Sequence, residues 1–300
     1  MKQKKLLIVG GTGFIGYHLA KSAVLKGYDV TSLSTKPPIK LRKLRKVKYV
    51  FADIGKEKDL QKLKKNFIYV VNLGGYVDHS NKKKTHLSHY LGCKNLSNFF
   101  LNKKIRSFVQ IGSCLEYGFS RSPQKENLKC SPGSVYAKSK YLSSLHVINL
   151  YKKNSFPATV LRLYQVYGTH QDKNRLIPVV VDACIKNKKF PCSSGIQYRD
   201  FVHVSDIVLA IFKCMKIKKA KGEIINLGYG HPLKVKKIIN LIKKESKGGY
   251  PEFGKMKLRK EESLKLYPSI RKAKKILNWK PKKNFNSQIK KVINFYKKYV

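Results

Sequence analysis

An apolar run, a glycine-rich turn and a helical pattern follow one another at the start of the chain. The run KLLIV (5–9) predicts a buried strand, and apolar side chains recur at helical spacing over 14–26 before Gly27 ends them. The turn between them, GGTGFIG (10–16), stands in the strand-to-helix context that a dinucleotide fingerprint requires. A chain that begins in this way is expected to build a parallel α/β sheet around its first strand.

The glycines of this turn have separate expected roles. Gly10 or Gly11 allows the tight turn. Gly13 lets the backbone approach a pyrophosphate, and Gly16 lets the helix lie close to the sheet. The helix N-terminus then offers N–H groups and the positive end of its dipole to phosphate. We therefore predict that Gly10, Gly13 and Gly16 bind a dinucleotide.

The first half of the chain continues to alternate strand and helix patterns. Further strands are predicted over 28–33, 47–53, 67–73, 107–113 and 158–164, and helices near 56–65, 85–102 and 134–152. This alternation is typical of an α/β fold with a Rossmann-like, doubly wound parallel sheet. Beyond about residue 165 the elements shorten. We predict a dinucleotide-binding domain over 1–168 and a smaller C-terminal α/β substrate lobe over 169–300, with part of 198–230 crossing back to the first domain.

The end of the second strand bears on the choice of dinucleotide. A carboxylate there would accept hydrogen bonds from the ribose hydroxyls of NAD. The residues that follow the strand are instead Ser34, Thr35 and Lys36, while Asp29 lies at its opposite end. Hydroxyls and a cation suit a 2′-phosphate, so Ser34 and Lys36 are predicted cofactor contacts. NADP is the expected cofactor, with NAD as the alternative.

Lysine dominates the charge of the chain. The 65 Lys and Arg against 16 Asp and Glu give a net charge of +49. The lysines are spread along the whole chain, which favours a compositional drift on solvated surface over a dedicated binding tail. Attraction of anionic small molecules and binding to nucleic acid or an acidic membrane stay open. Runs such as LRKLRKVK (41–48) are not interleaved with aromatic residues, so no specific nucleic-acid partner is expected.

Apolar runs and cysteines indicate the compartment. No apolar run is long enough to span a bilayer, and the segment Leu6 to Val9 is too short for the core of a signal peptide. The six cysteines show no Cys-x-x-Cys and no His/Cys spacing typical of a metal site. We expect a cytoplasmic protein with reduced, mostly buried thiols and no bound metal.

Several longer motifs occur in a fixed order along the chain. They are GGTGFIG (10–16), IGSCLEYG (111–118), SVYAKSK (134–140), LRLYQVYG (161–168), QYRDFVHVSD (197–206) and KILNWKP (275–281). In this order and spacing they resemble the extended short-chain dehydrogenase/reductases that act on nucleotide sugars, the NAD-dependent epimerase/dehydratase family. The segments FPCSSGIQYRDF (190–201) and GGYPEFGKMKLRKEES (248–263) are similar to the branch that contains CDP-abequose synthase and related 4-ketoreductases and epimerases.

The chain contains several Tyr-x-x-x-Lys matches, among them Tyr90/Lys94 and Tyr136/Lys140. The second follows a strand that ends in Ser113 and begins a helix, which places both side chains on one helical face, one turn apart. The resemblance implies that Tyr136 exchanges the proton of a sugar hydroxyl, that Lys140 holds the nicotinamide ribose and that Ser113 polarises the carbonyl oxygen. The ammonium of Lys140 and an oxidised nicotinamide nearby are both expected to lower the pKa of Tyr136.

The resemblance also implies contacts to the cofactor and the substrate. Cofactor-binding positions of the family match Phe14, Ile15, Asp53 and Ile54. Arg199 matches a position that holds the substrate diphosphate, and Arg175 is a second candidate of the same kind. A guanidinium that donates two parallel hydrogen bonds suits a phosphate. Asp200 is expected to be a structural partner.

Some residues depart from the family pattern. In the dehydratases of the family an Asp-Glu pair follows the catalytic serine, whereas this chain has Cys114 and Leu115. Neither is an acid or base for eliminating water, so a 4,6-dehydratase is disfavoured, and Cys114 is interpreted as packing. Asn72, Gln165 and Ser269 also differ, and the first two are expected near the site, where they would alter substrate fit.

Together these observations predict an NAD(P)-dependent enzyme that reduces a nucleotide-linked 4-keto-6-deoxy sugar during synthesis of a surface-polysaccharide sugar. A nucleotide-sugar 4-epimerase that uses the same residues is the alternative. A non-catalytic RNA- or membrane-binding protein on the same fold is the alternative of another class. The expected partner is a nucleotide-diphosphate sugar, and the resemblance implies a homodimer.

Overall fold

The computed structural model of the chain describes residues 4–63, 66–76, 80–258 and 262–299. Its strands are, in chain order, β1 (Lys4–Val9), β2 (Tyr28–Ser34), β3 (Val47–Phe51), β4 (Tyr69–Asn72), β5 (Ser107–Ser113), β6 (Ala158–Leu163), β7 (Gln165–Tyr167), β8 (Lys189–Cys192), β9 (Tyr198–Arg199), β10 (Phe201–His203), β11 (Ile224–Leu227), β12 (Leu233–Lys234), β13 (Tyr250–Phe253) and β14 (Lys265–Leu266). Its α-helices are α1 (Phe14–Leu25), α2 (Lys82–His86), α3 (Gly92–Leu101), α4 (Val135–Asn154), α5 (Leu176–Ile185), α6 (Val204–Lys216), α7 (Val235–Ser246), α8 (Arg271–Leu277) and α9 (Phe285–Lys297).

The central sheet has seven parallel strands in the order β11-β6-β5-β4-β1-β2-β3. The chain winds from β1 through β2 to β3 on one side, and from β4 outward through β5 and β6 on the other. The carboxyl ends of β1 and β4 therefore flank the point where the winding reverses, which is where ligands bind in such sheets. The predicted Rossmann-like sheet is confirmed. Strand β11 lies within the segment that was predicted to cross back.

Alternate residues of β1 explain why the sheet is covered on both faces. Leu6 and Ile8 belong to one core cluster, and Leu7 and Val9 belong to a second cluster on the opposite face. A parallel strand that is buried on both sides needs an apolar run without polar alternation, and the sequence LLIV provides one. The same double burial extends to β5, whose residues are all buried.

The first core cluster is completed by the second half of the chain. Ile207 and Ile211 of α6 pack with Trp279, which follows α8, in the same cluster as Leu6 of β1. The Trp279 indole is 2% exposed, and its Nε1–H donates to the carbonyl oxygen of Asp206 at 3.0 Å. Trp279 is thus a core residue, because its ring is buried and its polar N–H has an acceptor inside the protein.

Two predicted helices differ from the observed elements. The helix expected near 56–65 is a short 3₁₀ helix, Glu57–Lys62, where Asp59 accepts a hydrogen bond from the Asp53 N–H at 2.8 Å. The helix expected over 85–102 begins at Lys82, because Asn81 caps it by accepting the Lys84 N–H. It passes through a π-helical turn, Leu87–Leu91, before it continues as α3.

The C-terminal lobe is built around helices α5, α7 and α9. Their apolar faces meet in a third core cluster that includes Ile177, Ile238 and Ile289. Lysines such as Lys237 and Lys244 lie on the exposed side of α7, so the positive charge of this amphipathic helix stays in solvent. In the described part of the chain no helix has the length and hydrophobicity needed to cross a bilayer, and all six cysteines are free.

Candidate active site

The glycine turn after β1 has the shape that a dinucleotide requires. Gly10 has φ +76°, a conformation that favours glycine, and its N–H donates to the Leu33 carbonyl at 2.7 Å. A Cβ on Gly16 would lie 2.2 Å from the Gly10 oxygen, so α1 packs against the turn more closely than any side chain would allow. Among the described residues no side chain caps α1 at Gly13. The first N–H groups of the helix are left for an anionic ligand, so these residues fit a dinucleotide pyrophosphate.

The end of β2 lies beside this turn. The Ser34 hydroxyl accepts a hydrogen bond from the Thr12 N–H at 3.4 Å and donates to the Leu33 carbonyl at 2.8 Å, so it supports the turn. Lys36 is exposed. The nearby Arg42 is buried and donates to the carbonyl of His170 and to Asp172, so its charge is engaged within the protein. Lys36 is therefore an exposed cation just beyond the end of β2.

The remaining predicted cofactor residues have mixed environments. Phe14 and Ile15 are partly buried at the start of α1, where the Phe14 ring contacts His18 edge-on. Asp53 accepts the Gly55 N–H through Oδ1 at 2.8 Å, the geometry of a turn residue at a strand end. Ile54 is 5% exposed and packs in the second core cluster. These positions surround the same edge of the sheet, and their cofactor roles stay predictions.

Ser113 ends β5 and is fixed by two local hydrogen bonds. Its Oγ accepts the Leu115 N–H at 3.2 Å, and its own N–H donates to Oε1 of Glu116 at 2.7 Å. These reciprocal bonds form a capping box at the start of the 3₁₀ helix Cys114–Tyr117. With Oγ accepting from the backbone, the hydroxyl proton is directed away from the loop. Ser113 also hydrogen-bonds with the Tyr136 side chain.

Tyr136 and Lys140 lie in the first two turns of α4, which Ser134 caps by accepting the Ala137 N–H. The Lys140 Nζ donates to the Ile111 carbonyl of β5 at 2.9 Å. Burial lowers the pKa of Lys140 to about 8, against the charges of Glu116 and Cys93, which raise it. The lysine is therefore held at the strand end by a buried backbone acceptor.

The pKa of Tyr136 in the protein is shifted in the direction opposite to the expected one. Burial raises the pKa of Tyr136 to about 12, while the hydrogen bond with Ser113 and the charge of Arg175 act in the opposite direction. The desolvation of a buried phenolate outweighs these interactions. At neutral pH Tyr136 thus holds its proton, which is the state that a general acid needs.

The two predicted phosphate-binding arginines approach this site differently. Arg175 is exposed at the N-terminus of α5, and its charge acts on Tyr136. Arg199 is buried, and its Nη2 pairs with Oε1 of Glu262 at 2.6 Å. A substrate diphosphate at Arg199 would compete with that carboxylate. The side-chain oxygens of Asp200 accept the N–H groups of Tyr229 and Gly230, in agreement with a structural role.

The three residues that depart from the family pattern have different environments in the structure. Asn72 is 1% exposed, donates to Gln110 at 2.8 Å and accepts the Gly74 N–H, so it holds strand ends together. The Asn72 amide thus points into the interior, and its effect on substrate fit stays a prediction. Gln165 is exposed, and the Ser269 N–H donates to the Gln124 carbonyl. His79, interpreted from the sequence as a solvated loop residue, lies outside the described residues.

Sequence reasoning missed two residues beside the catalytic set. His89 lies in the π-helical turn, is 6% exposed and meets the Tyr136 ring edge-on at 5.0 Å. Glu116 is fully buried against Ser113 and Arg162. The contact of His89 depends on how α4 packs across the π-helical turn, so no local pattern marks it. The serine-to-glutamate spacing of a capping box does mark Glu116.

Comparison with known sequences gives a family match. The sequence model described as the NAD dependent epimerase/dehydratase family matches residues 6–228 of this chain. The matched region begins in β1 and ends after β11, so it includes every strand of the central sheet.

Curated relatives cover almost the whole chain. CDP-abequose synthase from Salmonella muenchen is 24% identical over 97% of this chain and 97% of its own length. The dTDP-D-glucose 4,6-dehydratase from Mus musculus is 27% identical over 98% of this chain and 89% of its own length. The relatives thus carry out different reactions according to their names.

Solved structures share the fold over the same extent. A mutant of UDP-glucuronic acid 4-epimerase from Bacillus cereus, solved in complex with UDP-4-deoxy-4-fluoro-glucuronic acid and NAD, superposes with a TM-score of 0.91. It is 22% identical and is matched over 99% of this chain and 100% of its own. This likeness supports the described fold from end to end.

Proposed function

This chain belongs to the NAD-dependent epimerase/dehydratase family, and we propose that it reduces the 4-keto group of a nucleotide-linked 4-keto-6-deoxy sugar. It is an enzyme of the extended short-chain dehydrogenase/reductase type. The observation that carries the choice of a reductase is the loop after Ser113. This loop brings no acid or base toward the substrate, whereas Ser113 and Tyr136 supply what a carbonyl reduction needs. The product would be a 4-hydroxy sugar nucleotide of the kind used to build surface polysaccharides.

The catalytic groups of the chain act on the sugar oxygen. A bound nicotinamide dinucleotide supplies the hydride that C4 receives. The Ser113 hydroxyl donates to the carbonyl oxygen and stabilises the negative charge that develops there. Tyr136, protonated at neutral pH, transfers its proton to that oxygen and completes the alcohol. Lys140 is placed on the same helical face to hold the nicotinamide ribose and to stabilise the phenolate left behind.

The loop after Ser113 argues against dehydration. Cys114 is 4% exposed, and burial raises its thiol pKa to about 12, so it is a poor base. Leu115 has no titratable group. The loop carboxylate, Glu116, uses Oε1 for the Ser113 N–H and Oε2 for Arg162. Elimination of water needs an acid and a base at the sugar, and the described residues of this loop offer neither.

NADP is the proposed cofactor, with NAD as the alternative. Support comes from the end of β2, where Ser34 and the exposed Lys36 stand and where the described residues 34–36 include no carboxylate. The substrate proposal is supported by Arg175, whose charge acts on Tyr136, and by Arg199, which is buried and paired with Glu262. We propose that both bind the diphosphate of a nucleotide sugar, and that Glu262 releases Arg199 when the substrate binds.

The test is a substrate screen followed by near-ultraviolet absorbance. CDP-, dTDP-, GDP- and UDP-linked 4-keto-6-deoxy sugars are each mixed with the protein and NADPH. We expect one of them to consume NADPH in a one-to-one ratio with the 4-hydroxy product, and NADH to be used less well. Binding of either dinucleotide without reduction of any keto sugar would refute the reductase assignment.

A 4-epimerase is the second candidate, and a specific observation favours it. The same Ser113, Tyr136 and Lys140 serve to oxidise and re-reduce C4, and the superposed Bacillus cereus structure is that of a 4-epimerase with NAD. An epimerase would copurify with NAD(H), would interconvert 4-hydroxy sugar nucleotides and would show no net cofactor change. A reductase consumes reduced cofactor stoichiometrically, so one spectrophotometric experiment separates the two.

A further inference from the structure

A fully buried ion pair lies directly behind Ser113. Glu116 is 0% exposed and Arg162, in β6, is 2% exposed. Oε2 of Glu116 accepts from Nε of Arg162 at 2.8 Å. Burial alone would lower the pKa of Arg162, but the adjacent Glu116 carboxylate outweighs it and raises that pKa. The proposed proton transfer uses neither residue, so the pair needs a separate account.

The other carboxylate oxygen of Glu116 accepts a hydrogen bond from the predicted catalytic serine, Ser113. Oε1 accepts the Ser113 N–H at 2.7 Å, while the Ser113 Oγ accepts the Leu115 N–H at 3.2 Å. The first bond fixes the backbone at the end of β5, and the second fixes the rotation of the serine side chain. Because one lone pair of Oγ is used in this way, the hydroxyl proton is left to point toward Tyr136 and the substrate oxygen.

The remaining contacts keep Glu116 from moving. Arg162 stacks on the Tyr117 ring with 4.4 Å between guanidinium carbon and ring centroid, and the Tyr117 hydroxyl donates to Asn226 at 2.9 Å. A Cβ on Gly112 would lie 2.5 Å from Oε1 of Glu116. The carboxylate is thus confined between β5 and β6, and it links the backbone of Ser113 to Arg162 in the neighbouring strand.

We propose that Glu116, held by Arg162, is a positioning residue that sets the direction of the Ser113 hydroxyl toward the carbonyl oxygen of the substrate. This inference rests on the proposed function. In this role Glu116 acts through its oxygen, which is a fixed hydrogen-bond acceptor for the Ser113 N–H. Its negative charge serves a different purpose, which is to balance Arg162.

The test compares two double variants that both lack the Glu116–Arg162 charges. Only one of them keeps a side-chain oxygen that can accept the Ser113 N–H. Glu116→Gln with Arg162→Met keeps an oxygen for the Ser113 N–H, while Glu116→Leu with Arg162→Met removes it. We expect kcat within about 3-fold of the native value for the first protein, and a loss of about 10- to 100-fold, with KM little changed, for the second. Glu223→Leu with Lys272→Met removes a 2.6 Å ion pair away from the site and is the matched control.

Coupling to Ser113 distinguishes positioning from general stability. In a Ser113→Ala background, the Glu116→Leu/Arg162→Met change should lower kcat by less than about 2-fold, because the group it positions is already gone. A full additive loss, or a native kcat in the Glu116→Leu/Arg162→Met protein, would overturn the proposal. Should that protein not fold, Gly112→Ala displaces Glu116 by contact alone and is expected to give the same loss of kcat.

A readout without turnover keeps this inference separate from the reductase assignment. Hydrogen exchange of the Ser113 amide, measured by NMR, should be at least about 10-fold faster in the Glu116→Leu/Arg162→Met protein than in the native and Glu116→Gln/Arg162→Met proteins. The amides of Val109 and Ile111 should be unchanged. If no keto sugar is reduced, the function fails while this exchange result still decides whether Glu116 holds Ser113. Equal exchange in all three proteins would overturn the inference.

Discussion

At the scale of single residues, the candidate site consists of polar groups gathered at the end of β5. Tyr136 is protonated there because burial raises its pKa to about 12, and Lys140 rests on the Ile111 carbonyl. Ser113 is oriented from behind by the backbone and Glu116. These residues form a donor set for a carbonyl oxygen, and each is fixed by a partner that the reaction does not consume.

Replacing Tyr136 with phenylalanine should remove the proton donor and leave the fold and the dinucleotide site intact. We expect kcat to fall by about 10²- to 10⁴-fold, with binding of NADPH little changed. Tyr90→Phe is the matched control, since Tyr90 begins another Tyr-x-x-x-Lys match in the chain. Steady-state kinetics and fluorescence titration check both. Comparable losses in the two variants would argue against the special role of Tyr136.

Replacing Lys140 with methionine should stabilise the protein at neutral pH while it abolishes activity. Burial lowers the pKa of Lys140 from 10.5 to about 8, so at pH 7 the native protein buries a charge at a cost in stability. The unfolded lysine binds a proton up to pH 10.5 whereas the folded one loses it near pH 8, so native stability rises over this interval.

The stability advantage of Lys140→Met should therefore shrink by roughly 3 kcal/mol between pH 8 and pH 10.5, because a shift of one pKa unit corresponds to about 1.4 kcal/mol. Urea unfolding of both proteins across this range measures the difference, and the other titrating groups, common to both, cancel. The Ile111 carbonyl does not lose its last donor in the variant, because the Gln110 side-chain amide also donates to it at 3.1 Å. A pH-independent difference would contradict the buried charge.

Lys36→Glu tests the proposed preference for NADP. Loss of a cation at the 2′-phosphate should lower the ratio of kcat/KM for NADPH to that for NADH by about 10-fold or more. Lys43→Glu makes the same change in net charge on the exposed 40s segment and is the control. If both variants change the ratio equally, general attraction by the +49 charge would explain the preference instead.

At the scale of elements, the approach of α1 to β1 decides whether a dinucleotide fits. The turn between them packs through glycines, and the helix begins without a capping side chain in the described structure. Phosphate oxygens would satisfy the N–H groups that a cap usually satisfies. The N–H groups at the start of α1 therefore have no capping side chain among the described residues and are available to a phosphate.

Gly16→Ala should separate α1 from the turn. Its Cβ would lie 2.2 Å from the Gly10 oxygen and 2.6 Å from the Gly11 Cα, both backbone atoms that cannot give way alone. We expect a loss of about 1–3 kcal/mol in the free energy of unfolding and at least about 10-fold in dinucleotide affinity. Gly133→Ala, which meets nothing within 4 Å, is the control. Calorimetry measures both effects, and an unchanged affinity would contradict the close packing.

At the scale of the whole molecule, the two predicted domains share one core. The cluster on one face of the central sheet joins Leu6 and Leu161 to Ile207, Ile211 and Trp279. The segment after residue 168 therefore supplies the cover for this face of the sheet as well as the C-terminal lobe. Arg42 adds a polar link by donating to the carbonyl of His170.

A chain that ends at residue 168 should fail to fold as an independent domain. It would expose the sheet face that α6 and Trp279 cover, and it would lack the edge strand β11. We expect no cooperative thermal transition and strong binding of a hydrophobic dye, whereas the full chain unfolds in a single transition. A stable, dinucleotide-binding fragment would show that the domain boundary is also a folding boundary.

The sequence by itself determined the order of strands and helices, the glycine turn and the family, because these depend on periodicity and on neighbours within one or two turns. It also predicted which Tyr-x-x-x-Lys pair follows a serine-bearing strand. Other expectations differ from the structure: the helix predicted near 56–65 is a short 3₁₀ helix, and burial raises the pKa of Tyr136.

Only the tertiary structure decided how these residues are held. The pairs Glu116–Arg162 and Arg199–Glu262 join residues far apart in the chain, and the contact of His89 with Tyr136 depends on the packing of two helical segments. Burial likewise sets the protonation of Tyr136 and Lys140. Desolvation and long-range pairing arise only when distant segments exclude water together, so no local pattern of residues encodes them.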